Sequence, residues 1–219
     1  MKKILIILTF STLIFSYNLN YKIKYFGIHV ADCKISKIDT VYKAYPSTKI
    51  VYKVNTKPFF KNLFPVNNTY KIIVNNKKEI LFFSKNTTQP NVENFIETEL
   101  RNNQIFYKNT DIKIARDSYN IFSLLYSIME GEVPPNFILE KEGLLFNGNI
   151  ELLGENVYDL KISNILDSNI QSVMHKTDIF TWGIFMDNAK RRLFVNQKNG
   201  LIEQCIFTKG IITIKAELY

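Results

Sequence analysis

From Asn20 onward, apolar and polar positions alternate in twos. Tyr21, Ile23 and Tyr25 share one face of an extended chain, and after Gly27 the set Ile28, Val30 and Asp32 opposes His29, Ala31 and Cys33. Period-two alternation is the signature of a strand, and Gly27 suits a bulge or bend. Ile50, Tyr52 and Val54 repeat the pattern, as do Tyr70, Ile72 and Val74, and Asn75-Asn76-Lys77-Lys78 turns this strand into Ile80-Leu81-Phe82-Phe83. That pair reads as a β-hairpin. Between these strands, Lys57 to Pro65 breaks the alternation with a proline near each end and reads as a loop or short helix over the core. The polar stretch from Ser84 to Asn91 reads as a loop.

One helix is predicted over Asp117 to Glu130. Asp117 is placed to cap it, Ile121, Leu124, Leu125 and Ile128 recur at helical spacing, and Gly131 followed by Pro134-Pro135 stops it. Its apolar stripe should cover one face or end of the sheet. Short strands follow at Phe137 to Glu140, Leu144 to Phe146, Ile150 to Leu153 after an Asn147-Gly148 turn, and Tyr158 to Ile162. The last third adds strands at Ile179 to Phe185, Arg192 to Asn196, Leu201 to Thr208 and Ile211 to Leu218. Asp187-Asn188-Ala189-Lys190 and Gln197-Lys198-Asn199-Gly200 are the hairpin turns expected between them. Many short strands joined by polar turns indicate antiparallel pairing in a single mainly β domain over 17–219.

The N-terminus adds a compartment. Met1-Lys2-Lys3 precedes an apolar and hydroxyl run from Ile4 to Ser16. This run suits a secretory signal and is shorter than the roughly 20 residues of a spanning helix. Cleavage is expected after Ser16, with the bulky Ile14 at the minus-three position; the other reading is an uncleaved anchor. Residues 1–16 are therefore read as a signal peptide and the mature chain as periplasmic or extracellular, with no transmembrane span.

The formal charge is +8, from 28 Lys+Arg and 20 Asp+Glu, and falls to +6 without Lys2 and Lys3. The excess is Lys scattered along alternating segments such as Tyr21-Lys22-Ile23-Lys24-Tyr25, which marks solvated strand faces that resist edge-to-edge association. Attraction to anionic lipid or polysaccharide is the remaining electrostatic reading. Nucleic acid is not an expected partner, because export removes the chain from most of it.

Candidate chemistry is sparse. His29 and His175 are the only histidines and have no metal-ligand spacing. His29 and Cys33 would share a strand face at roughly 13 Å, too far to share a proton. A pairing of His175 with Cys205 is left open. There is no Gly-x-Ser-x-Gly elbow, phosphate loop or His-Glu-x-x-His helix, and no cofactor motif. Glu97, Glu99, Asp111 and Asp117 lie on neighbouring elements and read as surface scatter rather than a catalytic pair. Cys33 and Cys205 either form a disulfide, if the first and a late strand are adjacent, or serve as two small buried apolar residues. The 17 Phe and 12 Tyr either fill a Phe-rich core or line an apolar cavity suited to a lipid-like or glycan ligand.

Three stretches, Tyr25 to Ile35, Ala115 to Tyr126 and Thr181 to Leu193 with Gly200 beyond, resemble the exported bacterial family called domain of unknown function 3108. Gly27, Asp117, Trp182, Asp187, Arg191 and Gly200 are the matching positions, and Ala31 and Leu193 stand where Gly and Pro are typical. The resemblance implies an exported, mainly antiparallel β protein with a strongly curved or barrel-like sheet, and it implies no activity. Each motif position has a structural explanation: a cap for Asp117, a turn for Asp187, a half-buried strand for Trp182. The function expected from the sequence is a non-enzymatic envelope module that binds an apolar or amphipathic ligand, such as a lipid or glycolipid, or a protein partner. The alternative is a hydrolase or transferase of envelope polymers with an unrecognised carboxylate or Cys/His site.

Overall fold

A computed structural model describes residues 16–115, 117–132, 135–164 and 171–219. The segment read as a signal lies outside these residues except for Ser16, as do Arg116 and Pro134. The first meander comprises β1 (Ser16–Tyr25), β2 (Ile28–Tyr42), β3 (Tyr45–Thr56), β4 (Asn67–Asn75), β5 (Ile80–Gln89), β6 (Val92–Arg101), β7 (Gln104–Tyr107) and β8 (Lys113–Ile114). After β9 (Ser118–Asn120) and α1 (Ile121–Met129) come β10 (Asn136–Lys141), β11 (Leu144–Gly154) and β12 (Val157–Asn164). Then follow α2 (Ile179–Ile184), β13 (Lys190–Val195), β14 (Ile202–Lys209) and β15 (Ile212–Leu218).

All fifteen strands form one sheet in the order β8-β7-β6-β5-β4-β3-β2-β1-β15-β14-β13-β12-β11-β10-β9. Apart from β8 and β9, strands adjacent in sequence are adjacent in space, and β1 pairs antiparallel with β15, so the first and last strands join the two meanders. The result is a nearly closed, barrel-like sheet whose seam falls between β8 and β9. Side chains bridge that seam: the Tyr107 hydroxyl on β7 donates to Glu140 on β10. Pairing is antiparallel except between β9 and β10, which run parallel because α1 carries the chain across.

Twist comes from two-residue turns with positive φ at both positions: Phe26-Gly27, Lys43-Ala44, Asn102-Asn103 and Glu142-Gly143. Such primed turns match the right-handed twist of the strands they join. Gly27 is thus a turn residue. The bulge lies beyond it, where the register shifts between Ile23↔Ala31 and Lys24↔His29. Inward positions Ile35, Tyr52 and Tyr70 are buried on three neighbouring strands, whereas Lys34 and Lys53 stand exposed between them. Lysine on the outer face is the reverse of the apolar band a membrane-spanning barrel presents to lipid.

Helix α1 is nested in the concave face, with eight of its nine residues buried. It starts later than predicted because Ser118–Asn120 pairs with β10 and must stay extended. Asn120, rather than Asp117, is the N-cap: its side chain accepts from the Ser123 backbone N–H while the Ser123 hydroxyl accepts from the Asn120 N–H. Asp117 is exposed. The stop is as predicted at Gly131, which sits at φ +74 in a Schellman arrangement, with Glu132 N–H on Ser127 O at 2.9 Å and Gly131 N–H on Ile128 O at 3.0 Å.

Three further expectations change. Ser84 to Gln89 is not a loop but the second half of β5, with Lys85 and Thr87 buried among the inward positions. Residues Ile179–Ile184 form a short helix rather than a strand, capped by Asp178, so the Asp187 region turns a helix into β13 instead of closing a hairpin. Asn147-Gly148 is not a turn but lies inside β11, with Gly148 directly opposite Phe137 of β10. The Phe137 ring lies over Gly148 so closely that an added Cβ would overlap it. Gly148→Ala is therefore expected to cost about 1–3 kcal/mol in denaturant unfolding, with part recovered by Phe137→Leu. An unchanged midpoint for Gly148→Ala would show that the ring moves freely.

Candidate functional site

Two features share the interior under α2: an apolar cavity and a sealed ionic cluster. The cavity measures about 120 Å³. Its wall is built by Tyr21 and Cys33 from β1 and β2, by Phe122 and Met129 from α1, by Phe180 and Ile184 from α2, and by Cys205 and Ala216 from β14 and β15. The tyrosines that reach into this interior direct their polar tips away into hydrogen bonds. Tyr21 donates to Ile202 O at 2.7 Å and Tyr52 to Phe122 O at 2.9 Å. The exposed wall is left apolar, which keeps such a space dry and receptive to apolar groups.

Helix α2 is held over this space at both ends. At its start, Asp178 Oδ1 accepts from the Phe180 and Thr181 backbone N–H groups at 3.0 and 3.1 Å. At its end the buried Arg191 guanidinium donates to Ile184 O, to Met186 O at 2.5 Å and to Ala189 O at 2.8 Å. Those donors satisfy carbonyls that the short helix leaves open. Phe180 and Ile184 face the cavity, Trp182 is 46% exposed on the outer side, and buried Gly183 lies over Ile214 of β15.

The ionic cluster anchors the Asp178 end. Lys85 of β5, with 2% of its side chain exposed, pairs with Asp178 at 2.6 Å and with Glu142 of the β10–β11 turn. Asp178 also accepts from Tyr70 Oη and Thr181 Oγ1, each at 2.6 Å, and Glu142 accepts from Thr177 Oγ1 at 2.6 Å. Burial pushes the Asp178 carboxyl upward, but the Lys85 ammonium and the hydroxyls of Thr181 and Tyr70 overcome it and hold the group below the usual carboxylate range. Glu140 behaves in the opposite way. Burial raises its pKa to about 7, with the neighbouring Glu142 charge adding to the rise while the Tyr107 hydroxyl and Gly143 N–H oppose it.

Most residues weighed from the sequence fall elsewhere. The bulge in β2 turns His29 outward onto Asp32 at 2.7 Å, whereas Cys33 lines the cavity, so the two do not share a face. His175 is exposed and Cys205 buried. Glu97 pairs with Lys108 and Glu99 with Arg101 on the surface, and Asp111 and Asp117 are exposed. Cys33 and Cys205 are free thiols on strands with β1 and β15 between them, and burial raises both to about 12, which suppresses the thiolate a nucleophile needs. Among the family-motif positions, Trp182 and Arg191 belong to α2 and its clamp. Gly200 lies at φ +72, where a Cβ would stand 2.5 Å from Met129 O at the end of α1.

The sequence reading missed Lys85, Glu142 and Asp178. The one available signal was that Phe83, Lys85 and Thr87 continue the period-two pattern of β5. A buried lysine and a surface lysine look alike in one dimension.

These observations define a mainly β, barrel-like domain that encloses a helix and an apolar space. No family model matches the chain, and no curated protein matches it at a significant level. Among solved structures it is similar to a β-barrel-like protein of domain of unknown function DUF1849 from Brucella abortus, at TM-score 0.47 and 8% identity, covering 92% of this chain and 95% of that one.

Removing one member of a buried ionic set strands the others, so Lys85→Met should lose about 3–5 kcal/mol in chemical unfolding. A loss under about 1 kcal/mol would mean that the cluster is hydrated. The raised Glu140 carboxyl binds its proton more tightly folded than unfolded. Its contribution is fully present below its ordinary pKa of 4.5 and is lost as pH rises through about 7. Thermal midpoints should therefore fall across that window, and Glu140→Gln should flatten the fall and melt higher than the parent at pH 8.

Proposed function

We propose that the chain is exported, loses its N-terminal segment and works in the cell envelope as a non-enzymatic module that binds the apolar part of an amphipathic ligand beneath α2. The observation that carries this reading is the cavity of about 120 Å³ with its apolar wall, set against the buried core of the domain. Its size compares with a void of about 150 Å³ that takes benzene, so it suits the end of one hydrocarbon chain. The resemblance to domain of unknown function 3108 supports the export part of this reading alone, since it implies an exported β protein and no activity. The sealed setting of Lys85, Glu142 and Asp178 favours binding over hydrolysis, since a water or polymer substrate would need access to carboxylates that are 0–4% exposed.

Native mass spectrometry of the chain recovered after export, followed by organic extraction, tests this reading. The expected result is an apolar or amphipathic molecule in stoichiometric amount. Ala216→Leu, which extends a branched side chain into the cavity, is expected to abolish that adduct without lowering the unfolding midpoint. A bare chain of the expected mass would overturn the ligand reading and favour a protein partner.

A further inference from the structure

The strand register brings separate turns to one end of the barrel. Tyr25 opposes both Ile28 and Ile214, and Ala31 opposes Thr56, so the β1–β2 turn, the β3–β4 connection and the β14–β15 turn lie side by side along β3-β2-β1-β15-β14. Backbone bonds hold them there, from Lys57 N–H to Val30 O at 2.8 Å and from Phe26 N–H to Thr213 O at 3.4 Å. Helix α2 joins the same end through Gly183 over Ile214.

Each of these pieces projects apolar side chains into solvent. The three most exposed large apolar residues among those described, Ile211 at 85%, Phe59 at 82% and Leu63 at 77%, are all here, with Ile28 at 56%, Phe26 at 55% and Trp182 at 46% beside them. Phe26 holds a left-handed backbone at φ +48, a conformation that a bulky residue rarely adopts, and does so at the tip of a turn where it packs against no core. Exposed cations surround the edge: Lys61, Lys176, Lys190 and Lys209 stand against Glu93 and Asp187, and the nearby Asp32 is already paired with Lys57 at 3.1 Å.

We propose that this end docks on an anionic lipid surface, with Phe26, Phe59, Leu63, Trp182 and Ile211 entering the interface and the lysines meeting lipid headgroups. Apolar tips rimmed by cations are the chemistry of peripheral membrane binding. Aromatic side chains sit at the depth where one end is wet and the other is not, and the cations supply an attraction that salt weakens. A protein groove could cover the apolar tips equally well, but it gives no reason for a ring of lysine on both flanks. The opposite end also carries exposed apolar residues, Val41 and Tyr45 about the β2–β3 turn and Leu152-Leu153 at the end of β11, but at 43–69% they are less exposed than Ile211, Phe59 and Leu63. This inference goes beyond ligand binding and does not depend on what the cavity contains.

The test is flotation of the full chain, as cells process it, with vesicles of phosphatidylcholine containing about a third phosphatidylglycerol. Trp182, the one tryptophan in the sequence, serves as an internal reporter. Docking predicts that the chain floats with these vesicles, that the Trp182 emission shifts to the blue, and that neutral vesicles or high salt reduce both. Ile211→Asp and Phe59→Asp should each lower the partition coefficient about tenfold or more, because each removes one buried apolar side chain. The control Leu153→Asp, at a residue 53% exposed on the opposite end, should leave it unchanged. Absence of flotation, equal loss in Leu153→Asp, or a dimer in sedimentation that disappears in Ile211→Asp would overturn the proposal, the last in favour of a second copy of this chain.

Discussion

A lysine ammonium inside a barrel has no solvent to balance it, and the arrangement of this molecule around Lys85 follows from that constraint. The charge is met by Asp178 and Glu142, which come from the far side of the seam and from parts of the chain that strand pairing alone does not bring to β5. Desolvating such a set is costly unless every member is bonded, and here the hydroxyls of Tyr70, Thr177 and Thr181 complete the shell. The cluster therefore selects one placement of α2 and of the β10–β11 turn among the many that apolar packing would tolerate.

That placement creates the apolar space next to it. Asp178 fixes the start of α2 and Arg191 its end, so Phe180 and Ile184 stand over the cavity as a wall with a defined position. Tyr70 serves both features: its ring stacks on Phe122 at 4.2 Å beside the cavity, and its hydroxyl binds Asp178. Polar and apolar halves of the interior are coupled through such side chains. The Trp182 face of α2 is in turn continuous with the exposed turns on the outside, which places the exposed apolar surface and the cavity wall on opposite sides of a single helical turn and a half.

Much of the architecture was legible because its causes are local. Alternation reveals β1 to β4, and the turn chemistry of glycine gives the Gly131 stop and the Gly200 turn. The late strands at Arg192, Leu201 and Ile211 were found from their patterning alone. The errors also have local causes. Asn147-Gly148 has the composition of a turn, but its glycine is there to admit the Phe137 ring, and the actual turn, Glu142-Gly143, lies just upstream. Asp117 has the chemistry of a cap, but pairing of β9 with β10 delays the helix to Ile121. Ile179 to Ile184 is apolar and short, a length at which strand and helix cannot be told apart by period; Asp178, held by Lys85, decides for the helix.

The sequence by itself determined the mainly antiparallel β class and which residues are suited to lie inside, since side-chain chemistry and period-two spacing act over a few residues. The tertiary structure alone decided that β1 closes onto β15, that the face α1 covers is the concave one, and that Lys85, Glu142 and Asp178 meet. Those outcomes depend on pairings across 57 to 197 residues, and their energies come from burial, which does not exist until the chain has closed around them.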